Sequence, residues 1–217
     1  MLHGGNSQVV YDFGANFVGF VGFEVSGKAG QVLELCWNER LSGYGNVPRP
    51  GDCDSSIMAM RYVLRDGKQT YMTFEPTVAR FIRVINRSGE DIKLKALYIK
   101  EYRFEAQKSG DFECSDDILN AIYKTAGLNA KLNTLDVFMD CPSRERGSWL
   151  HDSYWTAQAV YSMFGDTSVN RRMCRQVAES QEDPAHIGPD GMVHMLYPAN
   201  IANWTCVIPA HQLFWVM

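Results

Sequence analysis

The 217-residue chain predicts an antiparallel β-sandwich followed by a group of helices. Two patterns carry this reading. Up to about Arg103 the apolar residues come in short alternating, β-branched or aromatic runs separated by turn residues, as in half-buried antiparallel strands. Beyond that point they recur at the spacing that lines up one face of a helix. With 46% hydrophobic and 21% charged residues the composition is that of a globular protein, which excludes disorder and fibrous repeats.

The strands follow from four runs, residues 31–37, 61–65, 80–85 and 92–99. In the last of these, Ile92, Leu94, Ala96 and Tyr98 share one face while Lys93 and Lys95 take the other. Turn residues at 26–30, 66–67 and 88–91 separate the runs. Asp66-Gly67 is the strongest hairpin signal, because glycine supplies the positive φ that a tight turn requires. Residues 41–56, rich in Gly, Pro and Asp, read as an irregular loop.

The first helix is expected to start at Ser115 as cap, with Asp116 and Asp117 complementing the positive end of the dipole. Ile118, Leu119, Ile122, Tyr123 and Ala126 then form its apolar face. A second helix is expected over 152–164, with Trp155, Ala159 and Tyr161 among its apolar members and Gly165 as its stop. The third starts near Thr167 or Ser168, carries Val169, Met173 and Val177, and ends before Asp183-Pro184. A fourth opens at Pro209 and reaches Met217 inside an apolar run without a cap, so the sequence is expected to be a piece of a longer protein.

The formal net charge of −4 divides into +2 over residues 1–108 and −6 over the remainder. Nothing clusters Lys and Arg into a nucleic-acid footprint. The acidic second part suits either a solvated surface or a cleft lined with carboxylates. Cys36, Cys53, Cys114, Cys141, Cys174 and Cys206 are scattered, which favours free buried thiols over a zinc knuckle or redox pair. The histidines show no metal-ligand spacing, and neither metal nor cofactor is expected. No run approaches the ~18 apolar residues of a membrane span. The N-terminus also lacks the basic and apolar regions of a signal peptide, which leaves the compartment open.

Residues 140–152 concentrate reactive side chains between the first two helices. Pro142 and Gly147 both oppose a continuous helix, so this is a loop. It holds the carboxylates of Asp140, Glu145 and Asp152, the guanidiniums of Arg144 and Arg146, His151 and the indole of Trp149. Carboxylates can protonate a departing glycosidic oxygen or hold sugar hydroxyls, and an indole offers a flat face to a pyranose ring. Residue types alone point first to a salt-bridged surface loop around a half-buried Trp, since charge-rich loops are usually structural.

This loop closely resembles the signature segment of α-L-rhamnosidases of glycoside hydrolase family 78. Residues 11–20, 74–84 and 110–116 resemble the same family's β-domain strands and its entry into the helical domain. The resemblance implies a jelly-roll-like sandwich over residues 1–104, a linker over 105–114, and the beginning of an (α/α)6 catalytic barrel over 115–217. It implies inverting hydrolysis of terminal α-L-rhamnosides by a six-hairpin glycosidase, with a rhamnose-containing glycoside or oligosaccharide as partner. Matched residue by residue, Glu145 falls on the general acid, Asp140 and Asp152 on sugar-holding acids, Arg144 on a substrate contact and Trp149 on a pocket aromatic. Trp204 matches a further pocket aromatic. Ser148 and His151 depart from the family's usual Gly and small residue and reshape the expected pocket.

Inversion needs a second carboxylate ~6.5–9.5 Å from the acid. In the resembled family it lies far downstream, and nothing after Trp204 here is acidic. The piece alone is therefore expected to be inert. A carbohydrate-binding module and a non-catalytic relative are the alternative readings.

Overall fold

The computed structural model describes residues 1–43, 45–48, 58–106, 110–183, 188–198 and 208–217. They form two compact units, Met1–Tyr102 and Arg103–Met217.

The first unit is built on β1 (Gln8–Gly27), a strand long enough to pair with three others of one six-stranded sheet. Its first part pairs antiparallel with β5 (Thr77–Asn86), with a bulge between Asp12 and Phe17. Gly14 sits in the bulge at φ +83°, and its N–H is accepted by Asp12 Oδ1 at 2.8 Å. Residues 22–27 of β1 pair with β4 (Gly67–Met72), and residues 19–26 pair with β6 (Lys93–Glu101). Gly19 pairs with both Thr77 and Glu101, so β6 lies across β1 from β5. On the far side of β5 come β2 (Val32–Asn38) and β3 (Ala59–Val63), giving the path β3-β2-β5-β1-β4.

The two ends of the strand path meet through aromatic rings. Tyr62 of β3 stands edge-on to Phe23 of β1 at 5.2 Å and 5.1 Å from Tyr71 of β4. Phe23, Val21, Leu33, Leu35, Val78, Ile82, Val84 and Ile92 fill the space between, all fully buried. Each such aliphatic or aromatic side chain contributes roughly 1.5–3 kcal/mol relative to exposure. The expected antiparallel β unit is therefore present. Its four anticipated runs are β2, β3, β5 and β6, with ends shifted by one to three residues.

Asp66-Gly67 does not close a hairpin. Gly67 has the expected φ of +85°, but β3 pairs only with β2 and β4 only with β1. The turn instead carries the chain between β3 and β4, the two ends of the strand path. Asp66 Oδ1 accepts the Ala29 N–H at 2.8 Å, so the side chain fastens a neighbouring turn. β4 itself was not anticipated, because its GKQTYM sequence is mostly polar.

The second unit contains α1 (Asp117–Leu132), α2 (Leu150–Phe164), α3 (Ser168–Glu179) with a 3-10 turn at Ser180–Glu182, and α4 (Pro209–Val216). The cap of α1 is Asp116 rather than Ser115, its carboxylate accepting the N–H groups of Ile118 and Leu119. The expected apolar face of α1 is not its buried face: Ile118 is 71% and Ile122 57% exposed. Gly127 and Ala130 are buried instead, because a glycine lets α2 approach until Met163 Cε is 3.0 Å from where a Cβ would stand.

In α2, Trp155 and Tyr161 are exposed and Ala157, Val160, Met163 and Phe164 are buried, again displacing the expected face. Gly165 ends the helix in the left-handed region, as anticipated. Val169, Met173 and Val177 of α3 are buried as expected, joining Phe138 and α2 in two adjoining core clusters.

Four cysteines lie among the described residues, and all are free thiols. Only Cys36 is buried; Cys114 and Cys141 are half-buried and Cys174 is exposed, which corrects the expectation of core thiols. No helix among the described residues is long and apolar enough to cross a membrane.

Candidate active site

The reactive loop begins where α1 stops. Asn133 caps the helix, and Thr134 Oγ1 donates to Ala130 O at 2.6 Å. Phe138 then anchors the loop in the core, its N–H donated to Met173 Sδ at 3.2 Å.

Asp140 closes the next seven residues into a ring. Its N–H donates to Gly147 O at 2.9 Å, and Gly147 N–H returns a bond to Asp140 Oδ1 at 2.8 Å. The Cys141 thiol donates to Asp140 Oδ2 at 2.9 Å and itself accepts the Glu145 N–H at 3.4 Å. Arg146 completes the ring in the left-handed region at φ +52°, a cost that a non-glycine residue bears only when its surroundings enforce it. Gly147 fits because Leu196 Cδ1 would lie 2.9 Å from a Cβ there. Beyond the ring, Ser148 Oγ donates to Tyr197 O at 2.7 Å and Leu150 N–H to Met195 O at 3.0 Å, so residues 195–197 wall the loop.

The ring presents Glu145. Its Oε2 accepts the Trp149 indole N–H at 2.7 Å, and its Oε1 lies 3.1 Å from Arg144 Nη2. Three of the residues singled out in the sequence are thus in direct contact. Asp140 belongs to the same ring, with both carboxylate oxygens engaged by donors from the loop. Asp152 lies exposed in the first turn of α2, where the helix dipole favours its negative charge. Trp204 lies outside the described residues.

A second wall of the site was not anticipated. His211 of α4 stands edge-on to Trp149 at 6.0 Å and its Nδ1 lies 3.3 Å from Met195 O. Phe214 lies 4.4 Å from the His151 ring, whose Nε2 accepts the Trp155 indole N–H at 3.1 Å. Tyr197 has its hydroxyl pKa raised by burial and by the charges of Asp183 and Glu179. The aromatic content of 209–217 was visible in the sequence, but its proximity to 149–155 is a matter of tertiary packing.

An antiparallel β unit followed by a helical unit, whose loop after the first helix gathers carboxylates, guanidiniums and an indole, defines a two-part architecture with one candidate site. Residues 107–215 match the bacterial alpha-L-rhamnosidase 6 hairpin glycosidase domain, and residues 3–101 the bacterial alpha-L-rhamnosidase concanavalin-like domain. The chain belongs to the bacterial α-L-rhamnosidase family.

A curated alpha-L-rhamnosidase of Formosa agariphila is 28% identical over 165 residues, covering 71% of this chain and 17% of that protein. The family 78 rhamnosidase of Bacillus sp. GL1 superimposes with a TM-score of 0.82 at 29% identity, covering 98% of this chain and 21% of that one. A Klebsiella oxytoca rhamnosidase with rhamnose bound shares the fold at a TM-score of 0.80 and 21% identity, covering 99% of this chain and 43% of that one. The chain thus spans less than half the length of each of these relatives.

Proposed function

We propose that this chain is the front portion of an inverting α-L-rhamnosidase: the β domain over 1–104, a linker over 105–114 and the opening of the catalytic barrel over 115–217. Glu145 is the general acid, and Asp140, Arg144, Trp149 and Asp152 hold the sugar, with Trp204 as a further pocket aromatic. The observation that carries this reading is the clasp on Glu145, whose two oxygens are separately held by the Trp149 indole and the Arg144 guanidinium.

Oε2 is fixed by the indole, and Oε1 faces Arg144. As substrate enters, Arg144 turns to a sugar hydroxyl, which frees Oε1 to carry the proton that is delivered. Glu145 protonates the glycosidic oxygen as the C–O bond breaks, and a water on the opposite face attacks the anomeric carbon. The carboxylate that activates that water is supplied by chain beyond Met217. The Bacillus enzyme, 29% identical and taking the same fold over 98% of this chain, supports the assignment of substrate class.

The test is Glu145→Gln in the full-length protein that contains this segment, assayed with an α-L-rhamnoside bearing a poor leaving group. A fall in kcat of ~10²–10⁴ with the fold intact is expected for loss of a general acid. Unchanged kcat removes Glu145 from the role.

A further inference from the structure

The outer face of the β3-β2-β5-β1 layer carries a second concave region, a groove of about 940 Å³. Its polar walls are Asn6, Gln8, Glu34, Arg61, Arg83 and Arg87. Strand register gathers them, since Glu34 of β2 faces Arg61 on β3 and Ile85 on β5, while Cys36 of β2 faces Arg83. Three guanidiniums and one carboxylate therefore share one face of the sheet, beside the small apolar cluster of Cys36, Val47 and Phe81.

The charges are arranged rather than dispersed. Glu34 Oε1 accepts from Arg61 Nε at 2.9 Å and Nη2 at 2.6 Å, and Oε2 accepts from Arg87 Nε at 2.5 Å. Arg87 Nη1 donates to Asn6 Oδ1 at 3.1 Å. One carboxylate thus orients two guanidiniums side by side and neutralises only one of them. Arg83 lacks such an answer: its Nε is buried without a hydrogen-bond acceptor, and no carboxylate among the described residues pairs with it. A buried guanidinium N–H without an acceptor, beside two further guanidiniums that share a single carboxylate among the described residues, favours an anion in the groove.

We propose that this groove binds an acidic saccharide, with Arg83, Arg61 and Arg87 taking a uronate carboxylate or sulfate ester and Asn6 and Gln8 taking neighbouring hydroxyls. That the ligand is a saccharide rests on the rhamnosidase reading; that it is anionic rests on the groove alone. The volume is at the upper end of the roughly 300–1,000 Å³ of small-molecule sites, room for more than one sugar ring. Ile85 and Ala59 supply an apolar floor for ring C–H groups. The site would hold the acidic part of a rhamnose-containing polymer on the β unit.

Calorimetric titration of the 217-residue chain at low salt tests this, using trigalacturonate, its fully methyl-esterified form, a sulfated disaccharide and inorganic sulfate. Binding of trigalacturonate or of the sulfated disaccharide is expected, and which of them binds distinguishes carboxylate from sulfate ester. The affinity should fall as salt is added. It should be at least ~10-fold weaker in Arg83→Gln and in the exposed-site variant Arg61→Gln, the loss expected for a charge-assisted hydrogen bond. Thermal melts of both variants establish that the β unit remains folded.

Equal binding of the methyl ester would overturn the anionic assignment. Inorganic sulfate binding as tightly as the saccharides would overturn the saccharide assignment, and no binding of either acid would overturn both. The readout is binding and not hydrolysis, so failure here leaves the Glu145 assignment standing, and the reverse holds as well.

Discussion

The indole N–H of Trp149 and Oε2 of Glu145 are joined by a 2.7 Å hydrogen bond, and the same indole is met edge-on by His211 at 6.0 Å. A residue expected to serve as a flat surface for sugar is thereby also the group that orients the acid. The two roles separate in Trp149→Phe, which keeps an aromatic face and deletes the donor. In the full-length protein this variant should retain KM within about twofold while kcat falls ~10–100-fold, the cost of one hydrogen bond to a charged group. The pH profile of kcat should shift as well, which a purely structural loss would leave in place. A change confined to KM would assign Trp149 to sugar stacking alone.

Asn86 offers a sharper test of what holds the β unit together. It is fully buried at the end of β5, and its Nδ2 lies 3.0, 3.0 and 2.8 Å from the carbonyl oxygens of Leu2, His3 and Glu90. Its Oδ1 accepts the Ser88 N–H at 2.9 Å. One side chain thus ties the N-terminal segment to the turn before Ile92. Asn86→Ala deletes these four hydrogen bonds at a buried position, while the Leu2, His3 and Glu90 carbonyls keep only the Ile92 N–H, the Ser7 hydroxyl and the Gln31 amide as donors, and should cost about 2–4 kcal/mol. Differential scanning calorimetry should show the β unit melting on the order of 10 °C lower. A shift of a degree or two would mean that water replaces the amide.

The sequence showed where structure is dictated locally and was silent where it is dictated by packing. Alternation located β2, β3, β5 and β6, since period-2 burial is written directly into each strand. It could not say that β3 and β4 part company after Asp66, because pairing partners are chosen by the whole layer. In α1 the apolar residues marked the helix but not its inner face. Ile118 and Ile122 are exposed, and Gly127 and Ala130, which carry almost no hydrophobic signal, make the contact. The reactive loop was legible as chemistry because its residue types are unusual together. The Asp140 ring and the His211 wall were not, since one depends on loop conformation and the other on a helix more than sixty residues away in the chain.

The pH dependence of the β unit should be governed largely by Glu34. Hydrogen bonds from Arg87 and Arg61 hold its carboxyl below the usual range despite an opposing effect of burial. Asp12 is held low in the same way by Arg80 and the Gly14 N–H, although it is exposed and screened by solvent. For a carboxyl whose folded pKa lies below its unfolded value of 4.5, the stabilisation is complete above that value and is lost as pH falls through the folded pKa. Burial pushes Glu39 the opposite way, so its protonation in acid partly offsets the loss.

Denaturant midpoints tracked from about pH 7 to about pH 3 should therefore fall on the acid limb. Glu34→Gln should be less stable than the parent at neutral pH, because two guanidiniums lose their carboxylate, and should show a flatter acid limb. Glu39→Gln should instead be as stable as the parent at neutral pH or slightly more so. Parallel acid limbs for Glu34→Gln and the parent would show that Glu34 does not set the acid sensitivity of this unit.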